Sequence, residues 1–207
     1  GVTLTIEPGV TIKADAGKSI ILNGTLTAVG TSTSPITFTG STATPLANYW
    51  AGISGNGSIT CSYCTIEYAG TSGTAISGSG TITNSTIRYS QSLDFQGTFT
   101  NNLISEAQTT PVIWNGGTFS ENTLENTRTY DPGSYKTIGI MHVKAFQTAN
   151  NTTYAQNNSF SISNNTFRGT ESIERGIWID NCCVGSSTVL TIEGNLFTDN
   201  SILWSHQ

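Results

Sequence analysis

The chain has 207 residues, room for one sizeable domain, and only 10% of them are charged, against about 25% in an ordinary soluble domain. A net charge of −5, with eight Lys and Arg and no basic run, argues against nucleic acid as a ligand, and no apolar stretch is long enough for a membrane span. Serine and threonine together number 59 and asparagine 18, so the surface must be solvated by hydroxyls and amides or covered by partners or glycans.

Residues 1–50 alternate short apolar runs with polar, glycine-bearing bends, as in "VTLTI", "GVTIKA", "SIILNG" and "TLTAVG". Alternation with a period of two, β-branched residues and glycine punctuation predict strands, and no stripe of helical period competes with them. Between residues 51 and 124 a frame repeats: an apolar anchor, a polar or small residue two before it, and an apolar residue five before it. Ile66 follows Cys64 and Cys61, Ile87 follows Ser85 and Ile82, Ile104 follows Asn102 and Phe99, and Leu124 follows Asn122 and Phe119. The frame returns twice in residues 125–207, at Phe167 (Asn165, Ile162) and Phe197 (Asn195, Ile192), where long polar insertions separate the repeats. Anchor spacings are therefore 21, 17, 20, 43 and 30 residues.

A unit of about 20 residues with three short strands cannot bury an apolar face alone, but it can if successive units stack at about 4.8 Å as a parallel solenoid. An all-β solenoid over residues 1–207, built as a single domain, is the expectation. Its turns would be N-terminal coils (1–50), regular coils (51–124) and coils with loop insertions (125–207). Equivalent residues would then form ladders. Asn102, Asn122, Asn165 and Asn195 are expected to be such a structural ladder, placed in the bend because asparagine tolerates a left-handed backbone.

"LTIEPGVTIKADAGKSIILNGTLTAVGTSTSPITFTG" (residues 4 to 40), followed by "WAGI" and "CTIEYAG", closely resembles the opening of bacterial right-handed parallel β-helix proteins of the pectin-lyase-like superfamily. The resemblance covers nearly the whole chain and implies a right-handed parallel β-helix, of bacterial or archaeal extracellular type. It does not choose among the lyases, glycosidases, adhesins and non-catalytic surface modules that share this fold. Enzymes of the superfamily act on polysaccharides along one outer face, and the lyases hold Ca²⁺ with clustered acids beside a basic residue that abstracts a proton. The corresponding outward positions read here as Ser77, Asp94, Trp114 and Trp178, too few acids for a calcium cluster. There is no Asp-Asp pair and no Gly-His-Gly. The best remaining constellation is Asp180 as a cation ligand with His142 or Lys144 as base, at the mouths of the insertions; solvated loop-edge charges are the plainer reading of the same three residues. No metal or other cofactor is expected, with Ca²⁺ entering only under the lyase alternative.

Ile113-Trp114, Ile177-Trp178 and Leu203-Trp204 read as an inward aliphatic followed by an outward tryptophan. Trp114, Trp178 and Trp204 in register would form an apolar stripe for a polysaccharide, a cell-surface glycan or another subunit, unless the inserted loops cover them. Glycosylation sequons stand at Asn23, Asn56, Asn84, Asn150, Asn151, Asn157 and Asn164. Cys61/Cys64 and the vicinal Cys182/Cys183 allow local disulfides or buried free thiols, and their spacing fits zinc poorly. The chain begins in a strand and stops within "SILWSHQ", with no helix or charged cap at either end. The expectation is either a piece of a longer protein or copies that stack head to tail into a filament. The sequence thus leads to a non-catalytic structural or adhesive protein, extracellular or on the cell surface. Polysaccharide binding and polysaccharide lyase or hydrolase activity are the alternatives.

Overall fold

The computed structural model describes residues 1–71, 73–108, 111–125, 141–143, 146–149, 152–155, 159–168, 177–180, 189–198 and 203–206. Among the described residues there is no helix, and the strands form one thirteen-stranded sheet, one eight-stranded sheet and the antiparallel pair Phe146–Ala149 with Thr152–Ala155. Every pairing in the two large sheets is parallel. The architecture is solenoid-like, with one apolar core running between the sheets.

The repeat read from the sequence becomes one column of the eight-stranded sheet. Ile12, Phe38, Ile66, Ile87, Ile104, Leu124, Phe167 and Phe197 occupy equivalent register positions. Those from Phe38 to Phe167 are buried, and Phe167 stacks on Phe197 with ring centroids 5.0 Å apart. The insertion that carries the anchor spacing to 43 residues leaves the register intact, because Leu124 still pairs with Phe167.

A second inward column lies in the larger sheet: Ile6, Ala28, Cys61, Ile82, Phe99, Phe119, Ile162 and Ile192. These are the residues five before the anchors, together with Ile6 and Ala28. Alternation puts both sets inward, facing each other across the core.

Two details depart from the expected turn. Three strands are long, Thr74–Thr83, Ser92–Thr100 and Val112–Ser120, so the first bend of those repeats lies inside a continuous strand. Gly80, Gly97 and Gly117 make this possible: their φ angles are 136°, 133° and 98°. A Cβ at each would run into the carbonyl oxygen of Ile59, Gly80 and Gly97 respectively, in the neighbouring strand. Only glycine turns this corner without leaving the ladder.

The left-handed residues are the ones before the ladder asparagines, not the ladder asparagines themselves. Asn84, Asn101, Glu121 and Asn164 have φ of 52°, 56°, 57° and 56°, and Gly194 has 64°. Each is followed by an inward polar residue: Ser85, Asn102, Asn122, Asn165 and Asn195. One left-handed residue reverses the chain outward, which leaves the next side chain pointing into the core. Asn102, Asn122 and Asn165 are accordingly buried.

Candidate functional site

The polar groups with the most defined geometry are those of the bend. The Asn102 backbone N–H and its Nδ2 both donate to Asn122 Oδ1, at 2.9 and 3.1 Å. Asn122 donates in the same way to Asn165 Oδ1 at 2.9 and 3.0 Å, and Asn165 to Asn195 Oδ1 at 2.9 and 2.9 Å. The second Nδ2 proton goes to a strand carbonyl, that of Ile82, Phe99, Phe119 and Ile162 in turn. Ser85 and Cys64 continue the line: Cys64 N–H donates to Ser85 Oγ at 3.0 Å, and Ser85 N–H to Asn102 Oδ1 at 2.9 Å. Every amide proton and carbonyl in this buried line is satisfied, so these asparagines are structural.

Cys61 and Cys64 are buried free thiols. The Cys64 thiol donates to the Ala28 carbonyl at 3.3 Å. A hydrogen bond between the two thiols, reinforced by burial, pushes Cys61 well above the usual thiol range. The same bond lowers Cys64 against the opposing effect of burial. Cys182 and Cys183 lie outside the described residues.

The tryptophan stripe does not form as read. Register places Trp114 opposite Phe95 and Val143, whereas Trp178 is opposite His142 and Trp204. Trp114 is therefore one position out of phase with the other two. It points into the core, fully buried, with its ring 6.2, 6.5 and 5.2 Å from Phe95, Phe99 and Phe119. Ile113, taken as inward, is the half-buried outward residue of that strand. The reason is local: Val112, Trp114 and Gly116 alternate inward and carry the chain to the Gly117 corner, so the parity of the pair Ile113-Trp114 is opposite to that of Ile177-Trp178.

The outward residues Ser77, Asp94, Ile113 and His142 share one register column, which continues along the backbone through positions 178 and 204. Asp94 accepts a hydrogen bond from Asn115 Nδ2 on the next strand. Asp180 is in register with His206 and lies two residues beyond Trp178, the partner of His142. Strands thus bring His142 and Asp180 to adjacent rungs, while Lys144 lies outside the described residues. Among the described residues no three His, Cys, Asp or Glu side chains group as metal ligands. Asn23, Asn56 and Asn164 are exposed; Asn84 is half-buried and its Oδ1 accepts from Asn101 Nδ2 at 2.6 Å. Asn150, Asn151 and Asn157 lie outside the described residues.

Two further outward rows went unread in the sequence. On the eight-stranded sheet, one row holds two charge pairs: Arg88 meets Glu67 at 2.8 Å and Arg168 meets Glu125 at 3.0 Å, and Thr39 donates to Glu67 at 2.9 Å. On the larger sheet, Thr5, Thr27, Thr60, Thr81, Thr98, Thr118, Ser161 and Thr191 form one unbroken row. Beside it stand Val29, Ser62, Thr83, Thr100, Ser120, Ser163 and Glu193. The signal is a hydroxyl-x-hydroxyl triplet four to six residues before each anchor from Ile66 to Phe167 ("TCS", "TIT", "TFT", "TFS", "SIS"), hidden by the overall abundance of threonine and serine. No family model matches the chain, and neither a curated protein nor a solved structure matches it.

Proposed function

We propose that the chain winds as a right-handed parallel β-helix of the pectin-lyase-like kind, with three strand segments and an asparagine-lined bend in each coil. In this reading it serves outside the cell as a non-catalytic structural or adhesive rod. The observation that carries the reading is the bend line from Cys64 to Asn195, in which buried amides are spent on holding one rung to the next. Arg88 with Glu67 and Arg168 with Glu125 pair across neighbouring strands of the eight-stranded sheet, also rung to rung. The bend line favours stiffness along the axis, and charges paired with each other do not converge into a catalytic cluster. Each rung passes its amide hydrogen bonds in one direction, so copies that associate axially would stack head to tail.

The reading is tested by incubating the purified chain with a panel of acidic and neutral polysaccharides, with and without Ca²⁺, and measuring new reducing ends and unsaturated products. We expect none above background. Product formation that disappears in Asp180→Asn would replace this reading with the lyase one. Negative-stain micrographs test assembly: rods longer than a single chain are expected, and a strictly monomeric species at high concentration would refute the head-to-tail stacking. Glycan binding is the second reading, supported by Trp178 and Trp204 occupying the same register position on neighbouring strands. It predicts that Trp204→Ala weakens retention on an immobilised glycan while Ile113→Ala does not.

A further inference from the structure

We propose that the threonine face of the larger sheet is an ice-binding surface, its ligand being the ordered water at a growing ice crystal. The face is a two-dimensional lattice. One repeat is the spacing between rungs, about 4.8 Å, and the other is the distance between alternate residues of a strand, roughly 6.7 Å. Both are close to the separations of oxygen rows on faces of hexagonal ice. Eight rungs carry the central row without a gap, a length of about 34 Å.

Four observations point to water as the occupant. The first is that none of the eight hydroxyls in the central row is used within the protein among the described residues, so each is free to bond a water. The second is that the row is held in register. The two register irregularities in the long strands fall between Ser92 and Leu93 and between Phe95 and Gly97, before the hydroxyl triplets. Beneath the face, Phe99 stacks on Phe119 at 5.2 Å and 6°, and the asparagine line clamps the adjoining bend. The third is stiffness: threonine has a restricted χ1, so ordering water against it costs little side-chain entropy. Its methyl group sits beside its hydroxyl, which presents both a hydrogen-bonding anchor and an apolar surface for a water cage. The fourth is charge. Among the two rows only Glu193, at one edge, is ionisable.

The same features disfavour other occupants. A polysaccharide is gripped by aromatic platforms, and neither row has one. A second copy packed dry against the face would bury many hydroxyls without partners, which is costly. The eight-stranded sheet has its own row through Thr37, Thr65, Thr86, Leu103, Thr123 and Thr166, but it does not qualify, because Leu103 interrupts it and the charge pairs flank it.

The experiment uses the full chain, fluorescently labelled at its amino terminus, with polycrystalline ice grown slowly from its solution. Its outcome does not depend on whether copies form rods. Wild-type protein should enter the ice and slow recrystallisation. Thr98→Lys at the centre of the row should lower the fraction in ice at least tenfold, and Thr118→Lys, at an exposed position, gives the same test where a lysine is easily folded around. Thr65→Lys, on the other sheet, should stay within twofold of wild type. Wild-type protein left in the liquid like an inert control would overturn the proposal. So would row variants, folded by circular dichroism, that enter ice as well as wild type, or a row-dependent affinity for crystalline polysaccharide or for a second copy with no partition into ice.

Discussion

Asn122 shows how much of the chain's polarity is committed to structure. Its amide accepts two hydrogen bonds from Asn102 and donates to Asn165 and the Phe99 carbonyl. Removing it strands a buried N–H, a second amide proton and a carbonyl. We therefore expect Asn122→Ala to destabilise the chain by roughly 2–4 kcal/mol in urea unfolding, since each orphaned buried group costs about 1–3 kcal/mol. Trp114 is the matching apolar case. Trp114→Ala should cost about 3–5 kcal/mol of stability, the usual loss for a buried aromatic, without altering glycan retention. Trp114→Phe should cost far less, because it keeps the aromatic contacts and deletes an indole N–H that has no acceptor among the described residues. Cys61 and Cys64 are expected to resist a thiol reagent in the native protein and to react on unfolding, as burial demands.

At the scale of the element, the corner glycines decide whether a long strand stays in its sheet. Gly97→Ala should destabilise by about 1–3 kcal/mol through backbone strain, whereas Ala at Gly73, which faces open space, should cost less than Ala at Gly97. Much of this level was legible beforehand. The frame ending at Ile66, Ile87, Ile104, Leu124, Phe167 and Phe197 needs only a period and a polarity, and both are visible in residue letters. What was not legible is parity across a corner. The assignment of Trp114 as outward fails because a glycine bend can shift which residues face inward, and alternation alone cannot report such a shift. The left-handed position was likewise misplaced by one residue. In "SNNT" and "TNNL" the two asparagines look alike, yet Asn164 and Asn101 bend the backbone while Asn165 and Asn102 enter the core. The threonine row was missed for the opposite reason: its residue type is so common here that a column of it does not stand out until register is known.

At the scale of the whole molecule, the outward rows of the described residues differ in chemistry. One carries ion pairs, one carries Asp94, Ile113 and His142 with Trp178 and Trp204 in the same register column, and one carries hydroxyls almost alone. The ion pairs are too exposed to hold the rod together, since such pairs contribute about 0–1 kcal/mol. The asparagine line and the stacked core supply that cohesion. The line also fixes how such a chain can change in length. From Asn122 to Asn165 is 43 residues and from Asn102 to Asn122 is 20, yet the hydrogen bonds across the two steps have the same lengths to within about 0.1 Å. Chain can therefore be added between rungs freely, but a rung can be gained or lost only whole. A duplication of one repeat would lengthen the rod by a fixed increment and extend every row on its surface by one position, so a binding face of this kind can be enlarged in integral steps without redesigning a single contact.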